Sequence, residues 1–151
     1  SVSFAPTITL ATGAGPSSVF GADFDGDGKP DLAVAEQTGD RISVRRNTST
    51  VGSITFAAAL NLNSPGNVPS IVSAADLDGD GLVDLIYTEY VAGRARVQRN
   101  TSVVGTISFA AAQTVNINGS PTGSYVHDMD GDGKPDLLSG DCGAHSVRRN
   151  T

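Results

Sequence analysis

The sequence predicts an all-β fold assembled from three copies of one four-stranded unit, and three observations point to it. An acidic pattern, Asp-x-Asp-Gly-Asp-Gly-x-x-Asp, begins at Asp23, Asp76 and Asp128, so the chain repeats about every 50 residues. Short runs rich in Val, Ile, Phe and Thr alternate with clusters of Gly, Pro, Asn and Ser, the punctuation of strands and turns. No stretch carries the apolar periodicity of an amphipathic helix.

Each repeat can be followed element by element. Pro16, Pro69 and Pro121 open a strand that runs into the acidic loop, and a second strand leaves it. A third strand ends in Val44-Arg45-Arg46-Asn47-Thr48, Val97-Gln98-Arg99-Asn100-Thr101 and Val147-Arg148-Arg149-Asn150-Thr151. An aromatic run follows, Ile54-Thr55-Phe56-Ala57 and Ile107-Ser108-Phe109-Ala110. Its third copy, Val2-Ser3-Phe4-Ala5, stands at the front of the chain, so the three repeats are circularly offset. In the second repeat the pattern places strands at 70–75, 84–88, 95–101 and 107–112. The chain thus reads as one module, 1–151, with an outer strand over 2–10 and repeats over about 16–62, 69–115 and 121–151.

Four short strands per repeat of this length are the pattern of a β-propeller blade. The coils of β-solenoids are usually shorter. A helix-loop-helix calcium site needs a carboxylate at loop position 12, where this sequence has Val34, Tyr87 and Ser139. Propellers typically have four to eight blades, so three cannot close alone, and six is the multiple of three in that range. The expectation is a two-fold homodimer forming a six-bladed ring, with residues 2–10 of one chain completing the last blade of the other. The alternative is a segment of a longer or engineered array.

Composition narrows the function classes. With 151 residues, 38% of them apolar, the chain has the size of one domain, and no apolar run approaches a membrane span. The first residues lack the basic-then-apolar layout of a signal peptide, which reads as a mature chain or an excised piece. Cys142 is the only cysteine, so no internal disulfide is expected, and no activating neighbour marks it as a nucleophile. An isoelectric point near 4.6 without any basic run argues against nucleic acid. His127 and His145 have no visible partners for Ser-His-Asp chemistry, and no acid–base pair recurs outside the acidic loops, so an enzyme is not expected. Asn47, Asn100 and Asn118 begin glycosylation sequons, relevant only in a eukaryotic secretory setting.

The net charge of −6 is unevenly placed. Only Glu36, Asp40, Glu89 and Asp141 of the 16 acids lie outside the three loops. Each loop packs four carboxylates into nine residues, a repulsion that a cation or proton must relieve, and three divalent cations would neutralise the whole chain. Calcium takes six to eight oxygens, and alternate positions of a curled loop can present them. Asp23, Asp25 and Asp27 would supply carboxylates at positions 1, 3 and 5, the Lys29 carbonyl position 7, and Asp31 position 9. The same roles fall to Asp76, Asp78, Asp80, the Leu82 carbonyl and Asp84, then to Asp128, Asp130, Asp132, the Lys134 carbonyl and Asp136. Gly26 and Gly28 sit where the chain must curl through positive φ. A single copy would read equally well as an ordinary Asp-Gly turn; three do not.

At Asp23-Phe-Asp-Gly-Asp-Gly-Lys-Pro-Asp31-Leu32-Ala-Val, and at 76–86 and 128–138, the chain resembles the FG-GAP/VCBS repeats of integrin α subunits and certain propeller lectins. The resemblance implies a β-propeller with one Ca2+ per loop, three per chain. Arg-rich third strands and the presence of only three repeats depart from that pattern.

Strands in a blade alternate direction, so the loops on the face opposite the ions are free to differ. They do differ, and variable loops on a constant scaffold are where binding commonly resides. Glu36, Asp40, Arg41, Glu89, Tyr90, Arg94, Asp141 and His145 are the candidates for gripping a sugar or an acidic peptide. Arg46, Arg99 and Arg149 recur at one position and read either as an anion site or as hydrogen-bond donors between blades. The functional expectation is an extracellular, calcium-stabilised binding module, lectin-like or adhesive, with a carbohydrate or protein ligand. The alternatives are a self-assembling structural fragment, natural or engineered, and the accessory propeller of an enzyme.

Overall fold

The computed structural model describes residues 1–117, 119–140 and 143–151. Strands β1 (Pro16–Ala22), β2 (Asp31–Glu36), β3 (Arg41–Arg45) and β4 (Leu60–Asn63) pair antiparallel in chain order as the first blade. The second blade repeats this with β5 (Pro69–Ala75), β6 (Asp84–Glu89), β7 (Arg94–Gln98) and β8 (Gln113–Asn116). The third, among the described residues, has β9 (Gly123–His127), β10 (Asp136–Gly140) and β11 (His145–Arg148). Among the described residues there is no helix. β1 and β5 each begin at a proline and carry a register shift just after it, which a residue without an N–H provokes at the start of a ladder.

Packing between blades follows from which strands are apolar on both faces. β2 reads Asp-Leu-Ala-Val-Ala-Glu and β6 Asp-Leu-Ile-Tyr-Thr-Glu, and both are almost wholly buried. The core clusters Phe24, Ala33, Ala35, Ile42 and Val44 of the first blade with Val72, Leu85 and Tyr87 of the second. β5 lies against β1 and β2, and β9 against β5 and β6, so each inner strand packs on the preceding blade. The Ser17 hydroxyl donates to the Ser70 carbonyl at 2.9 Å and the Val72 N–H donates to the Ser18 hydroxyl at 3.2 Å, stitching β1 to β5.

Two strand assignments are corrected. The run 107–112, expected as the outer strand, is instead the returning arm of a small hairpin: Asn100 pairs with Phe109 and Val103 with Thr106. Phe109 turns inward and meets Phe24 edge-on, ring centroids 5.5 Å apart. The outer strand is the more polar 113–116 that follows, exposed along three of its four residues. Residues 2–10, expected as an outer strand, form no strand in the isolated chain; Val2 and Phe4 are 87% and 93% exposed. An edge strand without a neighbour to pair with gains too little to hold its conformation. Among the described residues no strand pairs with the outer side of β11.

Candidate metal centres

Every acidic loop joins the first and second strands of a blade, β1 to β2, β5 to β6 and β9 to β10. The backbone curls around the first aspartate. Asp23 accepts the Gly26 N–H on Oδ1 and the Gly28 N–H on Oδ2, both at 2.8 Å, and those glycines have φ of 73° and 84°. Asp76 and Asp128 hold their glycines in the same way. The carboxylate at position 5 accepts the N–H of position 7: Asp27 from Lys29, Asp80 from Leu82, Asp132 from Lys134, each at 2.9 Å.

The last aspartate is the buried anchor. Asp31, Asp84 and Asp136 are at most 2% exposed. Each bridges two backbone segments, as Asp31 accepts the Phe24 N–H at 2.9 Å and the Asn47 N–H at 2.7 Å. Asp84 and Asp136 do the same with Leu77 and Asn100, and with Met129 and Asn150. Burial pushes the Asp31 and Asp84 carboxyls above the ordinary aspartate value, and the negative neighbours in the loop add to this against the hydrogen bonds.

Within each loop three carboxylates bring an oxygen within 4.8 Å of the others: Asp23, Asp25 and Asp27; Asp76, Asp78 and Asp84; Asp128, Asp130 and Asp136. That spread matches the roughly 5 Å across a calcium coordination sphere, and the donors are all hard oxygens. The residues present therefore fit a hard divalent cation, which would be held by these carboxylates and would supply the positive charge that the loop lacks.

The recurring arginines face these loops, which the sequence did not reveal. Arg99 donates to Asp78 at 2.5 Å and to Asp80 at 2.7 Å. Arg149 grips Asp130 and, at 2.8 Å, Asp132, while Arg46 stands 3.8 Å from Asp27. The Arg99 and Arg149 guanidinium groups hold Asp78 and Asp130 below the usual carboxylate range. These three arginines thus pair within their own blade, rather than binding a free anion or bridging blades.

Bridging between blades falls to the asparagine one residue later. Asn100, 1% exposed, donates through Nδ2 to the Val83 carbonyl and to the Phe24 carbonyl of the preceding blade, both at 2.8 Å. Asn150 reaches the Leu77 carbonyl at 2.8 Å. The Gly105 N–H donates to Asp25 across the same interface at 2.9 Å. Recurrence of Asn47, Asn100 and Asn150 was the available signal, but two of them also read as sequons. Asn47 and Asn100 are buried with Nδ2 engaged, so the folded chain cannot present them for glycosylation. Asn118 lies outside the described residues.

On the opposite face the candidate ligand residues are engaged internally. Glu36, 1% exposed, accepts the Gly13 N–H, Ser43 hydroxyl and Arg41 Nε at 2.8, 2.7 and 2.5 Å. Burial alone would raise this carboxyl, but those bonds outweigh it and hold it below the ordinary glutamate value. Glu89 is matched by Arg94 and by the Ser64 hydroxyl, at 2.5 Å for the latter. Asp40, at φ 48°, accepts the Gly66 and Val68 N–H groups at 2.9 and 3.3 Å and so caps the connection to the next blade. Tyr90 and His145 are exposed, on the second and third blades respectively, and Asp141 lies outside the described residues.

Antiparallel blades in series, each closed by an acidic cation-fitting loop, define a propeller-type repeat module. The chain belongs to the FG-GAP-like repeat family, whose model matches residues 23–87 and 76–139. No curated protein matches it.

Proposed function

We propose that the chain is a calcium-stabilised propeller module that works outside the cell, each loop holding one Ca2+ as a structural ion. The observation that carries this reading is the threefold oxygen-only carboxylate cluster. Position 9 aspartates already fix the loop to the second and third strands, so an ion gripped by the same loop would tie the blade end together. Calcium is preferred to magnesium because the cage is built from many protein carboxylates, and millimolar extracellular calcium suits such sites. The Lys29, Leu82 and Lys134 carbonyls would complete the shells. Thermal melting with calcium, magnesium and chelator tests this: calcium at a hundredfold excess over its dissociation constant should stabilise by about 2.7 kcal/mol per site. An unchanged midpoint would refute it.

Recognition of a carbohydrate or protein ligand is proposed for the loops opposite the ions, centred on the exposed Tyr90 and Val91. A second reading, a scaffold without a ligand, is favoured by the internal pairing of Glu36 with Arg41 and of Glu89 with Arg94. A glycan-array screen separates the two, since the scaffold reading predicts no sugar bound.

A further inference from the structure

The second aspartate of each acidic loop uses one oxygen alike in all three copies and the other differently. Through Oδ1, Asp25, Asp78 and Asp130 accept the N–H of the aspartate two residues on, at 3.2, 3.3 and 3.2 Å. Through Oδ2, Asp25 accepts the Gly105 N–H at 2.9 Å, from the tip of the second blade's hairpin. Asp78 and Asp130 give that same oxygen to Nε of their own blade's arginine, Arg99 and Arg149. Among the described residues no hairpin of a later blade covers those two loops. Arg46 holds the same repeat position as Arg99 and Arg149, yet its Nη1 stands 3.8 Å from Asp27, beyond hydrogen-bond range. The docked hairpin covers the carboxylate that the guanidinium would grip: Asp25 is 2% exposed, against 40% and 41% for the Asp78 and Asp130 side chains.

The two kinds of donor leave the loop in different states. A guanidinium brings a full positive charge and draws the third aspartate to itself as well, Asp80 at 2.7 Å and Asp132 at 2.8 Å from Nη2. A backbone N–H brings no charge and leaves the third aspartate where it is. The converging carboxylates change accordingly: Asp23, Asp25 and Asp27 in the first loop, but Asp76, Asp78 and Asp84, and Asp128, Asp130 and Asp136, in the other two. In the first loop Asp25 and Asp31 are thus both buried, with backbone N–H groups as their donors. Covered carboxylates satisfied by neutral donors alone are costly until a cation joins them.

We propose that Gly105 and Arg46 compete for Asp25 Oδ2, and that docking of the second blade's hairpin converts the first loop from an arginine-neutralised state into a cation-binding one. Gly105 is the positioning residue. Its φ of 88° aims the N–H across the interface, and a Cβ there would meet nothing within 4 Å, so its role is conformational and not one of packing. This rests on the calcium reading of the loops and adds an order among them. The first loop binds most tightly, because in the second and third the ion must first displace an arginine from Asp78 and Asp80 or from Asp130 and Asp132.

The test is a calcium titration of the whole 151-residue chain in competition with a chromophoric chelator. One tight site and two about tenfold weaker are expected. Three equal sites overturn the proposal and leave the calcium reading standing; no binding at all overturns the calcium reading. Asp27→Asn should abolish the tight site, and its survival places that site elsewhere and overturns the proposal. Gly105→Ala strains the turn and should weaken the tight site several-fold, and Arg46→Gln in the same background should restore it, since the competing donor is gone. An unchanged tight site in Gly105→Ala, or a loss that Arg46→Gln fails to restore, overturns the proposal, the second being the mark of a merely structural glycine. Melting in excess chelator needs no bound ion: Arg149→Gln should lower the midpoint and Arg46→Gln should leave it in place. An equal fall for both overturns the exchange whether or not calcium binds.

Discussion

Replacing Asn100 by alanine removes three hydrogen bonds at one buried point. Nδ2 donates to the Phe24 and Val83 carbonyls and Oδ1 accepts the Ser102 N–H, all at 2.8 Å. At about 1 kcal/mol net for each bond, the loss is about 3 kcal/mol, rising toward 5 if the stranded carbonyls find no water. With a urea slope of about 2 kcal/mol/M, the midpoint should fall by about 1.5–2.5 M at unchanged slope, followed by far-UV circular dichroism. Asn100→Asp keeps the acceptor but loses both donors and buries a charge beside Asp84, whose carboxylate accepts the residue's own N–H at 2.8 Å. It should therefore be worse than alanine. A loss below about 1 kcal/mol for alanine, or an aspartate variant as stable as wild type, would refute the assignment of Asn100 as the link between blades.

Three further outcomes are expected. Arg41→Ala strands the Glu36 carboxylate under cover and should cost about 3 kcal/mol, measured by denaturation; Glu36→Gln in the same background should recover part of it. Arg99→Gln should lower the melting temperature without metal yet tighten calcium binding several-fold by calorimetry, because the guanidinium and the ion compete for Asp78 and Asp80; unchanged affinity would contradict that competition. Asp31 and Asp84, with folded values raised, favour folding most below the ordinary aspartate range and lose that contribution as pH rises through their folded values. Calcium should thus stabilise strongly at neutral pH and progressively less toward about pH 4, while Glu36, whose value is lowered, keeps its contribution until more acid conditions.

What could be read from the chain was whatever is local. The acidic loop is legible because its ligand spacing, its glycines and its strand-to-strand turn all lie within nine residues, and the first three strands of each blade follow from it. The outer strand was not legible. Ile107 and Phe109 have the higher strand propensity, but they are needed in the gap between blades, so the ladder falls to Gln113–Asn116. The arginine clamp was hidden because it depends on how the hairpin after the third strand folds over the loop before the second. The pairs Glu36–Arg41 and Glu89–Arg94 set the same acid and base at the same spacing in two repeats, which corrects the expectation that no acid–base pair recurs outside the acidic loops; both are internal ion pairs. Their place in loops that otherwise differ between repeats masks this structural role.

The contact of Gly105 with Asp25 makes the array polar. The second blade's hairpin leans on the acidic loop of the first, and Asn100 and Asn150 each reach a backbone carbonyl in the loop of the preceding blade, so whatever happens in a loop is felt by the blade downstream of it. Ion occupancy in the first loop should stiffen the second blade, and by reciprocity an ordered second blade should tighten that ion's binding. A series of such units has a grain, like shingles laid in one direction, and its unravelling should start from the uncovered end.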